Sequence, residues 1–288
     1  MSKLSLIPAA RAAAIASIAA AVALALFWPS LPAYSSASAS PGPVLAQAQQ
    51  QGVLKLALRS YSRPSLPSDP LPPEPDVLDQ ALAQWLGRQL GVRVQLTDLQ
   101  QADIALQGIR FENAAPQTAG AYAEPGLQLV SLKQQAARWR SNAPSYWPLL
   151  EPKTRQTTAG PSVCVGTGVA SAQSLQARGL QPQIAPSSIH AISDFLAGRC
   201  DLLADTPTVI DRLLTQDSWR FYARLGHGFA SDDQAGITLR SKDEQSAQWL
   251  QQSLQQWRAS GQQQQAFNNR VSTIALEASL LEDGAICH

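Results

Sequence analysis

The chain has 288 residues, of which 45% are hydrophobic and only 15% charged, a balance that excludes a disordered chain and supplies a folded core. With 22 basic against 21 acidic residues, a formal net charge of +1 and no run of Lys or Arg, nothing favours nucleic acid as a partner. His190, His227 and His288 are scattered and no C-x-x-C or H-x-x-x-H spacing occurs, so no metal and no other cofactor is expected.

At the N-terminus, Lys3 and Arg11 precede an uncharged run over residues 12–28, followed by small residues at Ala37-Ser38-Ala39 and Ala46-Gln47-Ala48. This is the pattern of a secretory signal peptide with A-x-A-like cleavage sites, and it predicts a periplasmic protein. A run of about 17 residues lies at the lower limit for spanning a bilayer, which leaves an uncleaved membrane anchor as the alternative. No cysteine lies in this region to carry a lipid anchor. Residues 35–51 are rich in Ser, Ala, Pro and Gln and read as a linker, so residues 1–48 form signal peptide and linker.

Alternating strands and helices follow, the pattern of parallel sheets covered by helices. Residues 53–59 alternate as a half-buried strand. Residues 76–90 place Val77, Leu78, Ala81, Leu82, Trp85, Leu86 and Leu90 at helical spacing, and Gly91 stops that helix before a short strand over 92–96. Apolar runs at 102–109 and 126–132 read as further strands, and 138–161, rich in Trp and Pro, begins a second domain. There the expected elements are strands at 163–165, 183–185 and 202–203 and helices at 171–178, 189–196 and 207–214. Thr206 and Pro207 stand as cap and first-turn residue of the last helix. Strands at 221–229 and 235–240 lead back, and 243–257 is a helix with Ala247, Leu250, Leu254 and Trp257 on one stripe. Export to an oxidising compartment allows Cys164 and Cys200 to form a disulfide, closing a loop of about 37 residues and leaving Cys287 over.

Several segments carry a resemblance. Leu54 begins a first strand; Ala102-Asp103-Ile104-Ala105-Leu106-Gln107-Gly108-Ile109 is similar to a D-x-A-L-x-G-I strand, and Gly236-Ile237-Thr238-Leu239-Arg240 to a returning G-I-x-x-R strand. With Val163-Cys164-Val165, Gly166-Thr167-Gly168 and Gly198-Arg199-Cys200-Asp201, the order and spacing over residues 52–270 resemble the amino-acid-binding family of periplasmic solute-binding proteins, the receptors of ABC importers. The resemblance implies an α/β, two-lobe type II periplasmic-binding-protein fold with two crossings and a cleft at the hinge. Lobe 1 would take residues 49–131 and 225–288, lobe 2 residues 132–224.

It further implies that Asp205 accepts hydrogen bonds from a ligand ammonium, a role that coexists with a helix-capping one. Gly168 would offer its backbone N–H to a ligand carboxylate, or simply make a tight turn, with Thr167 beside it. Gly108 would face the ligand amine from lobe 1, or let a strand end turn. Tyr61 is placed to line the cleft or the edge of the core. Where the family carries a threonine and a carboxylate-clamping arginine, this chain has Arg110 and Ala115, so Arg110 either replaces the clamp or is solvated or structurally paired. The connection over residues 97–101 is also shorter than the family's, leaving a sheet face for the 138–161 segment or a partner to cover. No nucleophile–base or paired-carboxylate signature appears, so no enzyme is expected. The function implied is capture of a small polar solute, an amino acid or related zwitterion, by a monomer that delivers it to an ABC permease. The alternative is a degenerate scaffold acting as a periplasmic accessory or interaction module.

Overall fold

The computed structural model describes residues 40–63, 65, 68–106, 117–124, 126–142, 160–226, 228 and 236–282. In chain order the first elements are helix α1 (Pro43–Gln51), strands β1 (Val53–Ala57), β2 (Ser60–Tyr61) and β3 (Glu74–Pro75), helix α2 (Val77–Leu90), and strands β4 (Arg93–Leu96), β5 (Ile104–Ala105) and β6 (Gln117–Ala121). Next come β7 (Gln128–Leu132), α3 (Lys133–Asn142), β8 (Ser162–Gly166), α4 (Ala172–Gln176), β9 (Gln181–Ala185), α5 (Ser188–Leu196), β10 (Leu202–Asp205), α6 (Pro207–Leu214), a 3-10 turn (Asp217–Phe221) and β11 (Tyr222–Arg224). The chain then returns through β12 (Gly236–Leu239), α7 (Glu244–Ala259) and α8 (Gln262–Glu282).

Two five-stranded sheets result, ordered β4-β1-β5-β12-β6 and β11-β7-β10-β8-β9. In the first, β1 pairs parallel with β4 and β5, whereas β12 pairs antiparallel with β5 and β6. The second repeats the theme, with β8 parallel to β9 and β10 and with β7 antiparallel to β10 and β11. Each sheet is one lobe, and the chain crosses after β6 and again before β12. Strand β7 lies in the second sheet, ahead of the boundary expected at 131/132, because Val130 pairs with Leu203 and packs in the second lobe's core.

Local signals explain the elements. Asp76 caps α2 by accepting the Leu78 N–H at 2.9 Å, and Gly91, at φ 71°, ends it in the left-handed region that L side chains avoid. Helix α2 buries Leu78, Leu82, Trp85, Leu86 and Leu90 in a core shared with Leu54 and Leu56 of β1 and with Leu250, Leu254 and Trp257 of α7. At the head of α7, the Asp243 carboxylate accepts the Ser246 N–H at 3.0 Å and also the Val44 N–H of α1 at 2.9 Å.

That contact corrects one expectation. Residues 43–51, read as part of a linker, are a helix, bracketed by Pro43 at its first turn and Gly52 at its end, with Leu45 and Ala48 buried in the first-lobe core. The shortened 97–101 connection turns so that Leu99 packs against Ala57, Ala102 and Ala105. Trp139 does not cover the first lobe; it is buried with Leu127, Val163 and Leu202 in the second. Cys164 and Cys200, both buried, form a disulfide with Cα atoms 5.7 Å apart, tying β8 to the turn before β10. Asp201 adds to that tie, its Oδ2 accepting both the N–H and the hydroxyl of Ser162 at 2.9 and 2.7 Å. No helix among the described residues is long and apolar enough to cross a membrane. The segment 12–28 and Cys287 lie outside the described residues.

Candidate functional site

Asp205 ends β10 and is fully buried. Its Oδ1 accepts the Thr206 N–H at 2.7 Å, while Oδ2 has no hydrogen-bond partner among the described residues. An ionised oxygen out of water and without a donor is costly, so the position asks for a cation or a donor. Burial pushes the Asp205 carboxyl up, against the pull of Arg270, the Ser188 hydroxyl and the Thr206 N–H.

The cation nearest to it comes from α8. Arg270 Nη1 lies 3.9 Å from Asp205 Oδ1, too far for a hydrogen bond. Its Nε donates to Asp76 Oδ2 at 2.8 Å and its Nη2 to Ser188 Oγ at 2.9 Å. Asp76 belongs to the first lobe, Ser188 and Asp205 to the second, so one guanidinium ties both lobes. Burial works against its charge, yet Asp76 and Asp205 outweigh that and raise the Arg270 pKa. Asp79, in the first turn of α2, is also buried and accepts a hydrogen bond from the Tyr122 hydroxyl. Burial and the neighbouring Asp76 push its carboxyl well above the usual range, against Tyr122 and Arg270. Further along α8, buried Glu277 accepts Arg63 Nε at 2.7 Å; burial pushes it up while Arg63 opposes.

A cavity of about 50 Å³ adjoins Arg270, with Asp76, Asp79 and Glu124 on one side and Thr167 and Gly168 on the other. It has room for roughly three or four waters. Gly166 precedes that loop at a close approach, since a Cβ there would sit 2.5 Å from the Ser188 N; Gly168 adopts φ 86°, the tight-turn geometry. The Thr167 N–H and hydroxyl both donate to the Ala185 carbonyl at 2.9 Å, which leaves the hydroxyl oxygen only as an acceptor. Tyr61 stands edge-on to His190, ring centroids 6.3 Å apart, close enough to Asp76, Glu277 and Arg270 to feel their charge, but it is not among the residues bounding the cavity. Gly108 and Arg110 lie outside the described residues.

The sequence reading missed Arg270 and Glu277 as site residues. A signal existed for both: they lie seven residues apart, on one face of a helix, among the apolar positions Val271, Ile274 and Ala278.

Three raised carboxyls give the protein a definite response to pH. Asp79, Asp205 and Glu277 titrate above their unfolded values, so the stability they contribute is complete below the ordinary carboxylate range, near pH 4, and is lost as pH rises through the folded values. The melting temperature is therefore expected to rise as pH falls from neutral toward the ordinary carboxylate range, and Asp79→Asn to flatten that rise. Asp243, held below its usual value by Ser246 and Val44 against the cost of burial, works oppositely and reverses the trend in stronger acid. Thermal melts across that range in both proteins check it; a flat wild-type profile would remove the buried-acid account.

Two α/β lobes, two crossings and an acidic site between them define the two-lobe periplasmic-binding-protein fold. Solved structures that share it include substrate-binding proteins of amino acid ABC transporters. One from Streptococcus pneumoniae Canada MDR_19A, bound to L-arginine, aligns at TM-score 0.55 and 14% identity over 80% of this chain and 98% of its own. A mutant of ArgBP from T. maritima aligns at 0.51 and 16%, over 80% and 99%. The ancestral amino-acid-binding protein AncCDT-1, described as a precursor of cyclohexadienyl dehydratase, aligns at 0.50 and 16%, over 79% and 98%. No family sequence profile matches the chain, and no curated protein matches it in sequence.

Proposed function

We propose that this protein is an exported solute-binding protein of an ABC importer that captures a small amino acid, zwitterionic or with a further positive charge, by closure of its lobes. The observation that carries the reading is the partnerless Oδ2 of fully buried Asp205, which does not itself bound the cavity but adjoins it through Thr206 and Arg270, where Asp76, Asp79 and Glu124 supply the acidic side chains. In this reading Asp205 anchors the solute's ammonium, Thr167 and Gly168 bound it from the second lobe, and Gly108 and Arg110 are the first-lobe contribution, with Tyr61 outside the cavity wall. L-Arginine, bound by the pneumococcal protein of the same fold, is the first solute to try. A disulfide in the second lobe fits an oxidising compartment, and a permease is the expected partner.

One observation favours the alternative of a degenerate scaffold acting as an interaction module: Arg270 already stands beside Asp205, and the cavity next to it is small. A thermal-shift panel of amino acids, polyamines and organic acids on the full chain separates the two. A solute at 100 times its Kd stabilises the folded state by about 2.7 kcal/mol, or roughly 5–10 °C. A rise for basic amino acids alone supports capture; no rise anywhere favours the interaction module. A fragment starting at Gln49 would be the wrong material, because it lacks Leu45 and Ala48 of the first-lobe core.

A further inference from the structure

Helix α8 has its two halves in different cores. Ala266 belongs to the first lobe's core, with Phe267 packed against it; Ile274 and Ala278 belong to the second lobe's core, with Val271 packed against it. Arg270 falls between the halves, at the level where the lobes face one another. Around its guanidinium the structure has assembled what a buried organic cation requires: a carboxylate at 2.8 Å, a hydroxyl at 2.9 Å and a second carboxylate at 3.9 Å. The surrounding carboxylates outnumber the guanidinium, so an incoming anion would find little positive potential there. The ties are unequal. Asp76 and Ser188 each hold Arg270 by a hydrogen bond, but Asp205 makes none to it and keeps a bare oxygen.

We propose that Arg270 is an internal stand-in for the solute's cation, that α8 seated across both lobes is the resting occupant of the cleft, and that a cationic solute binds by displacing the guanidinium from Asp205; this rests on the reading of Asp205 as the solute's anchor. Asp205 is the one tie without a hydrogen bond and so the first to give way; with it gone Ser188 alone holds Arg270 to the second lobe, which loosens the Val271, Ile274 and Ala278 half of the helix while Asp76 keeps Arg270 with the first. Solute and helix compete for one carboxylate, and the affinity measured is lowered by the fraction of molecules in which the helix is seated.

Calorimetric titration of the full chain and of Arg270→Ala with L-arginine, alongside hydrogen exchange over residues 262–282, tests this. Arg270→Ala is expected to bind about tenfold or more tightly than wild type. Saturating L-arginine is expected to speed exchange over residues 271–282 of the wild-type protein. Equal or weaker binding by Arg270→Ala, or slowed exchange with solute, overturns the competition and makes the guanidinium part of the solute's cradle. Should Arg270→Ala fail to fold, with three acidic side chains left without their cation, Arg270→Lys keeps the charge but cannot reach Asp76 and Ser188 together, and it is expected to bind more tightly than wild type by a smaller factor. The wild-type exchange measurement needs no variant. If basic amino acids, L-arginine included, bind to no form of the protein, the solute reading itself falls and the competition with it; binding with the wrong order of affinities sinks the competition alone.

Discussion

Asp205→Asn is expected to stay folded and to lose affinity for L-arginine by about 100-fold or more. Asparagine keeps the oxygen that accepts the Thr206 N–H but removes the charge and turns the Oδ2 position from an acceptor into an NH2 donor. A hydrogen bond between an ammonium and a buried carboxylate contributes roughly 3 kcal/mol, about two powers of ten in Kd. Stability should not follow affinity down. Burial pushes the Asp205 carboxyl up, which means that folding favours its neutral form, so an uncharged isostere is expected to melt at the wild-type temperature or above it at neutral pH. Calorimetric titration with parallel melts checks both halves. Unchanged affinity would take Asp205 out of the binding site, and a large fall in melting temperature would assign it to the architecture instead.

Loss of the Cys164–Cys200 disulfide is expected to produce the largest change in stability. A cross-link between residues 36 apart removes chain entropy from the unfolded state equivalent to about 4 kcal/mol. For a chain of this size that is roughly 8–16 °C in melting temperature. The double variant Cys164→Ser, Cys200→Ser is the suitable comparison, since it leaves no unpaired thiol in the second-lobe core. Its affinity for L-arginine should stay within about twofold of wild type, because the bridge ties β8 to the start of β10 while Asp205 stands at that strand's other end. Titration of the unreduced protein should find one reactive thiol, Cys287; three would refute the pairing.

Much of this fold could be read along the sequence where elements bury large apolar side chains or carry cap residues. Leu82, Trp85 and Leu86 marked α2, Gly91 its end, and Thr206-Pro207 the start of α6, each at the expected place. Helices α1 and α8 escaped for a shared physical reason: much of what they bury is alanine, Ala48 in one and Ala266, Ala275 and Ala278 in the other. Alanine lets helices approach closely, but in sequence, among glutamines and prolines, it looks like linker. Strand β6, Gln-Thr-Ala-Gly-Ala, was silent in the same way. Of the site, Asp205 and the Thr167-Gly168 turn stood out because strand ends and glycine turns are locally encoded. Arg270 did not, since what gives it meaning is Asp76, 194 residues away in the chain.

The position of β12 has a consequence for the order in which the molecule can assemble. The second lobe is built from one continuous stretch, β7 to β11, and holds its full set of strands once residue 224 exists, awaiting only the packing of α8. The first cannot finish so early. Residues 236–239 lie between β5 and β6, and without them the strands before and after that gap have no hydrogen-bonded contact with one another. A chain elongating from its N-terminus therefore carries an open half-sheet from β5 until β12, nearly half of its length, and it closes that sheet by a pairing across more than a hundred residues, the kind of long-range contact that slows folding. The last fifth of the sequence is thus the part that turns the first lobe from a set of strands into a sheet.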